Sequence, residues 1–421
     1  MCDISHELSK ISAKRSISVN AHQNGSNMKK LLSILLLATF AATIILTGCG
    51  KNTTSKVAPA TETAKEEIVD THSNDGRFVV GISMPDKFLE RWNRDGAYLK
   101  DEFERIGCEV ILHYSNNLID VQIEGLRDMI EKDADLLVIA AVDGAALGPV
   151  LDEAKAANVK VLAYDRLIMN SDVVDYYVSF DNYLVGQLQA VYIIARLGLN
   201  FTDTPKNIEL ISGDPVDNNA RYFYAGAMDS LKPYIDKGSI NVLSGQTDFY
   251  VTSTAQWSTE LAQQRLQIIL TSYYPDDTRL DAVLCANDST ALGATRAIES
   301  DYGSENSVVI TGQDGDIANI YNIINGTQSM TVFKALNQET IVAVVLGKAL
   351  LTGETPDESL ITKANWSFDC SFNTTDYDNG AKIVPSYLLK PVTVTAANLE
   401  EKLFTTGYYR RNSAGMIYSA K

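Results

Sequence analysis

Histidine is scarce in this 421-residue chain, which has four, at positions 6, 22, 72 and 113. Only His113 falls in a patterned stretch, a strand-like run where a packed or surface residue is expected rather than a general base. Cysteine is scarce too: Cys2 and Cys49 precede the patterned body, and Cys108, Cys285 and Cys370 lie within it without any short spacing. That odd set supports neither a cysteine-based zinc site nor a dense disulfide framework. Cys108 and Cys285 sit in the apolar runs "CEVILHY" and "AVLCAND", so buried, inert thiols are expected. Walker A, H-E-x-x-H, G-x-S-x-G and G-x-G-x-x-G patterns are all missing. Phosphoryl-transfer, zinc and redox chemistry therefore lack their usual parts, and neither cofactor nor metal is expected. A paired-carboxylate glycosidase is not excluded by spacing, because Asp and Glu are abundant. Basic charge is in deficit, 36 Lys and Arg against 53 Asp and Glu for a net −17. Nucleic acid, which needs a basic footprint, is not an expected partner.

A membrane span is missing as well. The apolar run over residues 31–46 is 16 residues long, short of the ~20 that a spanning helix needs. Met28, Lys29 and Lys30 precede it and "LTGC" ends it. Positive charge, a short apolar core and small residues describe a secretory signal. The ending resembles the bacterial lipobox, which implies cleavage after Gly48 and a lipid on Cys49. Residues 1–27 precede a complete signal and suggest an upstream start rather than a domain. Removing residues 1–48 takes five basic and two acidic residues with it, leaving 31 and 51 and a net charge of −20.

What remains is organised. Residues 49–76 lack apolar periodicity and are rich in Thr, Ala, Lys and Glu, the composition of a flexible tether. From Arg77 onward, short apolar runs ("RFVVGIS", "CEVILHY", "DLLVIAAV", "KVLAYD") alternate with helical patterns, the first carrying Trp92, Leu99, Phe103 and Ile106 on one stripe. A second series follows, with "NIELISG", "INVLSG", "DAVLCAND" and "SVVITGQD". Strands alternating with amphipathic helices predict α/β architecture with parallel sheets. Two such series, in a chain longer than one core usually serves, predict two doubly wound Rossmann-like lobes.

Polar residues gather after the strands: Asp165 and Arg166, Asp181 and Asn182, residues 214–219, Asn287 and Asp288, Gln313 and Asp314. Open α/β sheets bind ligands at those strand ends, so a cleft between two lobes is expected. The acids are interleaved with Asn and Arg, which suits a neutral polyol better than acid/base chemistry. Each sugar hydroxyl donates and accepts, and planar Asp, Asn and Arg groups each engage two neighbouring hydroxyls. The C–H face of a sugar ring prefers an aromatic plane. Trp92 follows the first strand and Trp257 follows "NVLSG", one from each lobe, as a sandwich requires.

Several segments together, "GIS…RWNRDG", "VLAYDRLI", "VSFDNYLVGQLQA", "GDPVDNNARYFYAGAMDSLKPYID", "CANDSTALGA", "TGQDGDIANIYNIINGTQSMTVFK" and "VPSYLLKPVTV", resemble the D-xylose-binding periplasmic proteins. These are sugar-binding subunits of ABC importers in the wider ribose/galactose-type family, and the resemblance runs from about residue 77 to 399. It implies two lobes joined by three crossover strands: 77–179 with 334–385, and 180–333 with 386–412. It implies sugar contacts from Arg91, Trp92, Arg94, Asp165, Arg166, Asn218, Asp288, Asp314 and Lys334, with Trp257 stacking. Whether Asn218 or Asn219 faces inward is left open. Hinges are expected near residues 179–181, 331–333 and 386–390. Two departures from what the resemblance implies stand out: "NWSFDCSFNTTDYDNGAK" replaces a shorter link and is expected at the cleft rim, and the segment before Trp257, "TDFYVTST", differs from the usual Asp-Gly-Trp.

The expectation is a monomeric, lipid-anchored, extracytoplasmic binding protein without enzymatic activity. It would carry xylose, or another aldose such as glucose, galactose or arabinose, to an ABC permease. A sensory protein presenting sugar to a chemoreceptor or sensor kinase would have the same lobes and site. A secreted carbohydrate-active enzyme is the rival of a different class.

Overall fold

The computed structural model describes residues 76–275, 278–302 and 307–419. The expected signal, the expected tether up to residue 75 and the expected lipidation at Cys49 lie outside the described residues. Among the described residues no helix is long and apolar enough to cross a membrane.

The first series builds a seven-stranded sheet. In chain order its first five strands are β1 (Val79–Met84), β2 (Glu109–Tyr114), β3 (Leu136–Ile139), β4 (Lys160–Tyr164) and β5 (Tyr176–Phe180), all parallel. The helices α1 (Glu90–Arg105), α2 (Ile119–Glu131) and α3 (Gly148–Ala156) connect the first four. Because side chains alternate across a strand, β1 and β3 feed two separate cores. Val80, Ile82, Leu136 and Val138 pack on one face with Trp92, Leu99 and Phe103 of α1. Val79, Leu137 and Ile139 pack on the other with Leu126 and Met129 of α2. Each such side chain contributes ~1.5–3 kcal/mol on burial.

The second series builds a parallel four-stranded sheet, ordered β7-β6-β8-β9, from β6 (Lys206–Ile211), β7 (Ile240–Asn241), β8 (Ala282–Cys285) and β9 (Val309–Ile310). Around it lie α4 (Asn182–Arg196), α5 (Asn218–Asp236), a short helix α6 (Phe249–Thr252), α7 (Thr259–Tyr273) and α8 (Asp288–Asp301). Two glycines let α4 and α5 touch backbone to backbone. A Cβ on Gly186 would lie 1.8 Å from the Phe223 carbonyl oxygen, and one on Gly226 2.0 Å from that of Tyr183. A third, small sheet joins β10 (Gln313–Asp314), β11 (Thr331–Phe333) and β14 (Val392–Val394), with α9 (Ile317–Asn325) between β10 and β11.

The chain passes between the two halves three times. It leaves the first sheet from β5 into α4, returns from β11 into α10 (Leu336–Leu351), and leaves again from β13 (Ser386–Leu389) into β14. β13 pairs in parallel with β5, and β12 (Cys370–Asn373) caps that edge antiparallel. This corrects the boundary expected at residue 386. Leu389 is buried in the first sheet's core, so the final crossover comes at Lys390 and Pro391. The second half also extends past residue 412, through a hairpin of β15 (Tyr409–Arg411) with β16 (Ile417–Ser419). Cys108, Cys285 and Cys370 are free thiols; the first two are buried.

Candidate functional site

Residues that follow β1, β4, β6, β8 and β11 line a small, partly open cavity. From the first half come Leu89, Arg91 and Trp92 at the start of α1, and Asp165 and Arg166 after β4. From the second come Asp217 and Asn219 at the start of α5, Phe223 one turn later, Trp257, and Asn287 with Ser289 after β8. Gln313, Asp314, Asp316 and Lys334 complete the lining.

Arg91 is the hub. Its guanidinium lies 3.1 Å from Asp95, 3.0 Å from Asp165, 3.4 Å from Asp314 and 3.6 Å from Glu339. Burial works against its charge, but the four surrounding carboxylates reverse the effect and hold it firmly protonated. Lys334 Nζ donates to the same Asp165 oxygen at 3.0 Å. Burial alone would raise Asp165, yet Arg91, Lys334 and Arg166 outweigh it and bring its pKa down to about 2. Asp217 behaves oppositely: burial lifts it, and the opposing pull of Arg166 does not cancel that. Arg166 Nε and Asp217 Oδ2 are 3.0 Å apart, an ion pair by distance whose N–H is not aligned as a hydrogen bond.

Backbone strain aims several of these groups. Asp165, Gln256, Trp257 and Asp314 adopt positive φ values of 54°, 55°, 54° and 101°. For residues with a Cβ this costs ~1–3 kcal/mol each and clusters at functional sites. At Asp165 three donors hold the strained carbonyl: Tyr177 Oη at 2.6 Å, Ser179 Oγ at 3.0 Å and Asn219 Nδ2 at 2.8 Å. Gln256 is pinned by its N–H donating to Asp214 Oδ2 at 2.9 Å. Trp257 then packs against Gly213, where an added Cβ would lie 1.9 Å from the indole ring. Its Nε1 donates to Asp217 at 3.3 Å, and Phe223 meets the ring edge-on at 6.2 Å.

Seven of the residues singled out in the sequence line this cavity: Arg91, Trp92, Asp165, Arg166, Trp257, Asp314 and Lys334. Three do not. Arg94 sits four residues from Glu90 on another face of α1 and donates to the Tyr409 hydroxyl at 2.6 Å. Asn218 points away, because Asp217 is the cap of α5 and the helical turn brings Asn219 inward. Asp288 lies just below the lining. Its carboxylate accepts from the N–H groups of Gly315 and Asp316 at 2.9 Å each, so it shapes the turn behind Asp314. The two tryptophans share the cavity but not their surroundings. Trp92 is 2 % exposed, and the guanidinium groups of Arg91 and Arg166 lie 4.3 and 5.1 Å from its ring centre. Asp217, Asn287 and Gln313 line it too and were named only within the strand-end clusters; Leu89, Phe223, Ser289 and Asp316 were not singled out, and Ser289 and Asp316 stand one or two residues from one that was.

The arrangement presents three cations, four carboxylates and several amides on one small surface, with apolar planes beside them. Such a set answers a neutral molecule bearing many hydroxyls, since every donor finds an acceptor and no single charge sign prevails. Among the described residues no group of His, Cys, Asp or Glu is arranged to hold a metal ion.

Comparison with known proteins gives concordant matches. The family described as "Periplasmic binding protein domain" matches residues 80–355. The multiple sugar-binding periplasmic receptor ChvE of Rhizobium radiobacter is 41% identical, over 79% of this chain and 90% of its own. The D-xylose-binding periplasmic protein of Haemophilus influenzae is 38% identical, over 81% of this chain and 93% of its own. A crystal structure of an ABC transporter solute-binding protein from Clostridium phytofermentans with bound β-D-glucose superposes with a TM-score of 0.73. It shares 47% identity and covers 79% of this chain and 98% of its own.

Proposed function

Because this chain belongs to the periplasmic binding protein family, we propose that it captures a monosaccharide between its lobes and delivers it to an ABC permease. The observation that carries the reading is the cavity where Arg91, Asp165, Asp314 and Lys334 converge beside Trp257. The lobes are taken as 77–179 with 334–389, and 180–333 with 392–419. Closure about the three crossovers brings the halves together on the sugar, and the permease reads the closed form. No bond in the sugar is made or broken.

Xylose is the first choice of ligand, with glucose next. The D-xylose-binding relatives support the pentose, and the Clostridium protein, with its bound glucose, supports the hexose. The protein works outside the membrane, held there as a monomer by a lipid on Cys49. Isothermal calorimetry with a panel of pentoses and hexoses tests the ligand: 1:1 binding is expected for xylose or glucose. Silence toward the whole panel would overturn the reading. Substituting Cys49→Ala tests the anchor, and is expected to abolish fatty-acid labelling and release the protein from the membrane.

A further inference from the structure

Helix α1 carries two polar rows. Arg91 reaches the cavity, and Asp95, four residues on and fully buried, pairs with it. Glu90, Arg94 and Tyr98 repeat the same spacing one residue earlier or three later, so they form a neighbouring stripe on the helix. That stripe contacts the other half of the molecule away from the cavity.

Its partners are the turn after β10 and the terminal hairpin. The hairpin is rooted in the second lobe: Tyr408, Tyr409 and Ile417 share a core with Ile320, Phe333 and Val394. The Ile417 N–H also donates to the Tyr321 hydroxyl at 2.7 Å. From the first lobe, Arg94 Nη1 donates to the Tyr409 hydroxyl at 2.6 Å, and its guanidinium lies 4.4 Å from the Tyr408 ring centre. Tyr98 Oη and Ser419 Oγ stand 3.1 Å apart. Glu90 Oε2 accepts from the Ile317 N–H at 3.1 Å.

Tyr409 links this contact to the site. Its hydroxyl accepts from Arg94 and donates to the Gly315 carbonyl at 2.7 Å. Gly315 stands between Asp314 and Asp316, both of which line the cavity. One oxygen thus ties the first lobe to the turn that aims two carboxylates, without touching the cavity itself. We infer that Tyr409 is a positioning residue for sugar binding, and that the terminal hairpin latches α1 against the 314–316 turn when the lobes close. The inference rests on the sugar-binding reading for its ligand but not for its geometry.

Opening the lobes must separate the Arg94–Tyr409 and Glu90–Ile317 contacts, while sugar entry into the open form does not involve them. Loss of the latch should therefore raise the rate of sugar release and leave association unchanged. Replacement of one such hydrogen bond shifts an equilibrium by roughly 3- to 10-fold.

The test compares the protein with its Tyr409→Phe and Tyr98→Phe variants, each of which keeps its ring and loses only a hydroxyl. Stopped-flow tryptophan fluorescence with D-xylose and D-glucose should show release ~3- to 10-fold faster in each variant, with association within twofold. Independently, spin labels on Lys132→Cys and Lys237→Cys report the distance between lobes without sugar. The short-distance population should shrink in both variants. If the parent protein binds neither sugar, the choice of xylose or glucose fails and the distance measurement alone decides the latch. Unchanged release rates, or unchanged distance distributions in a protein that binds no sugar, would overturn it.

Discussion

Lys334 Nζ lies 3.0 Å from Asp165 Oδ2, with both side chains almost wholly buried. Lys334 follows β11 at the point where the chain returns to the first lobe, so this pair fixes the site at one of its crossovers. Removing the cation while keeping the bulk, in Lys334→Met, leaves Asp165 with Arg91 alone among its close cationic partners. Truncating one partner of a buried, hydrogen-bonded charge pair costs ~2–5 kcal/mol. Sugar affinity measured by calorimetry should fall by roughly 30-fold or more.

The same pairing makes Asp165 sensitive to acid. Its pKa of about 2 in the folded protein lies below the ordinary carboxylate range, so its ionised form favours folding. That contribution is complete above the unfolded value of about 4 and disappears as pH falls toward 2, amounting to ~2 kcal/mol. Chemical denaturation between pH 5 and pH 2.5 should show a steeper loss of stability for the parent than for Asp165→Asn. Parallel curves would mean that the carboxylate is not held as described.

Trp257 is placed by what its neighbour lacks. A methyl group at Gly213 would meet the indole at 1.9 Å, so Gly213→Ala must push the ring from its position. The variant should bind sugar nearly as weakly as Trp257→Ala, with a blunted change in tryptophan fluorescence on titration. Gly213→Ala at full affinity would remove Trp257 from the ligand's surroundings.

Asn218 and Asn219 are adjacent and differ completely in surroundings. Asn219 is 1 % exposed, lines the cavity and donates to the Asp165 carbonyl at 2.8 Å. Asn219→Ala should cost at least tenfold in affinity, because it removes the cavity-lining amide, one of three donors to that strained carbonyl and the acceptor of Asn182 Nδ2 at 2.9 Å. Asn218→Ala should stay within threefold of the parent in the same titration.

These adjacent asparagines show where sequence reading succeeds and where it stops. Alternation of apolar runs and helical stripes declared the two lobes, since burial on both faces of a parallel sheet leaves that imprint at β1, β3, β6 and β8. The strand-end cluster at 214–219 was legible as composition. Which residue turns inward depends on the first turn of α5, set by Asp217 accepting the Asn219 N–H at 2.9 Å. Arg94 was misplaced for a similar reason. Its partners Tyr408 and Tyr409 lie more than 300 residues away in sequence, and no local pattern announces them. β13 was misassigned because an apolar run fits either sheet, and only its pairing with β5 decides.

Asp288 joins the ligand turn to the second lobe's core. It is fully buried and accepts four hydrogen bonds, from Gly315 N, Asp316 N, Thr331 Oγ1 and Gln328 Nε2. Burial, reinforced by the nearby charge of Asp314, outweighs those donors and lifts its pKa to about 8. A carboxyl raised in this way binds its proton more tightly when folded. Its contribution to stability is therefore full below the unfolded value of about 4 and declines as pH rises toward 8. Denaturation midpoints should fall from pH 5 to pH 9 in the parent and change less in Asp288→Asn. Asp288→Ala leaves four buried donors without their acceptor and should cost ~2–4 kcal/mol of stability at any pH. Because the turn behind Asp314 loses its anchor, the alanine variant should also bind sugar more weakly, although Asp288 itself does not line the cavity. A variant of normal stability with weakened binding would instead place Asp288 among the direct sugar contacts.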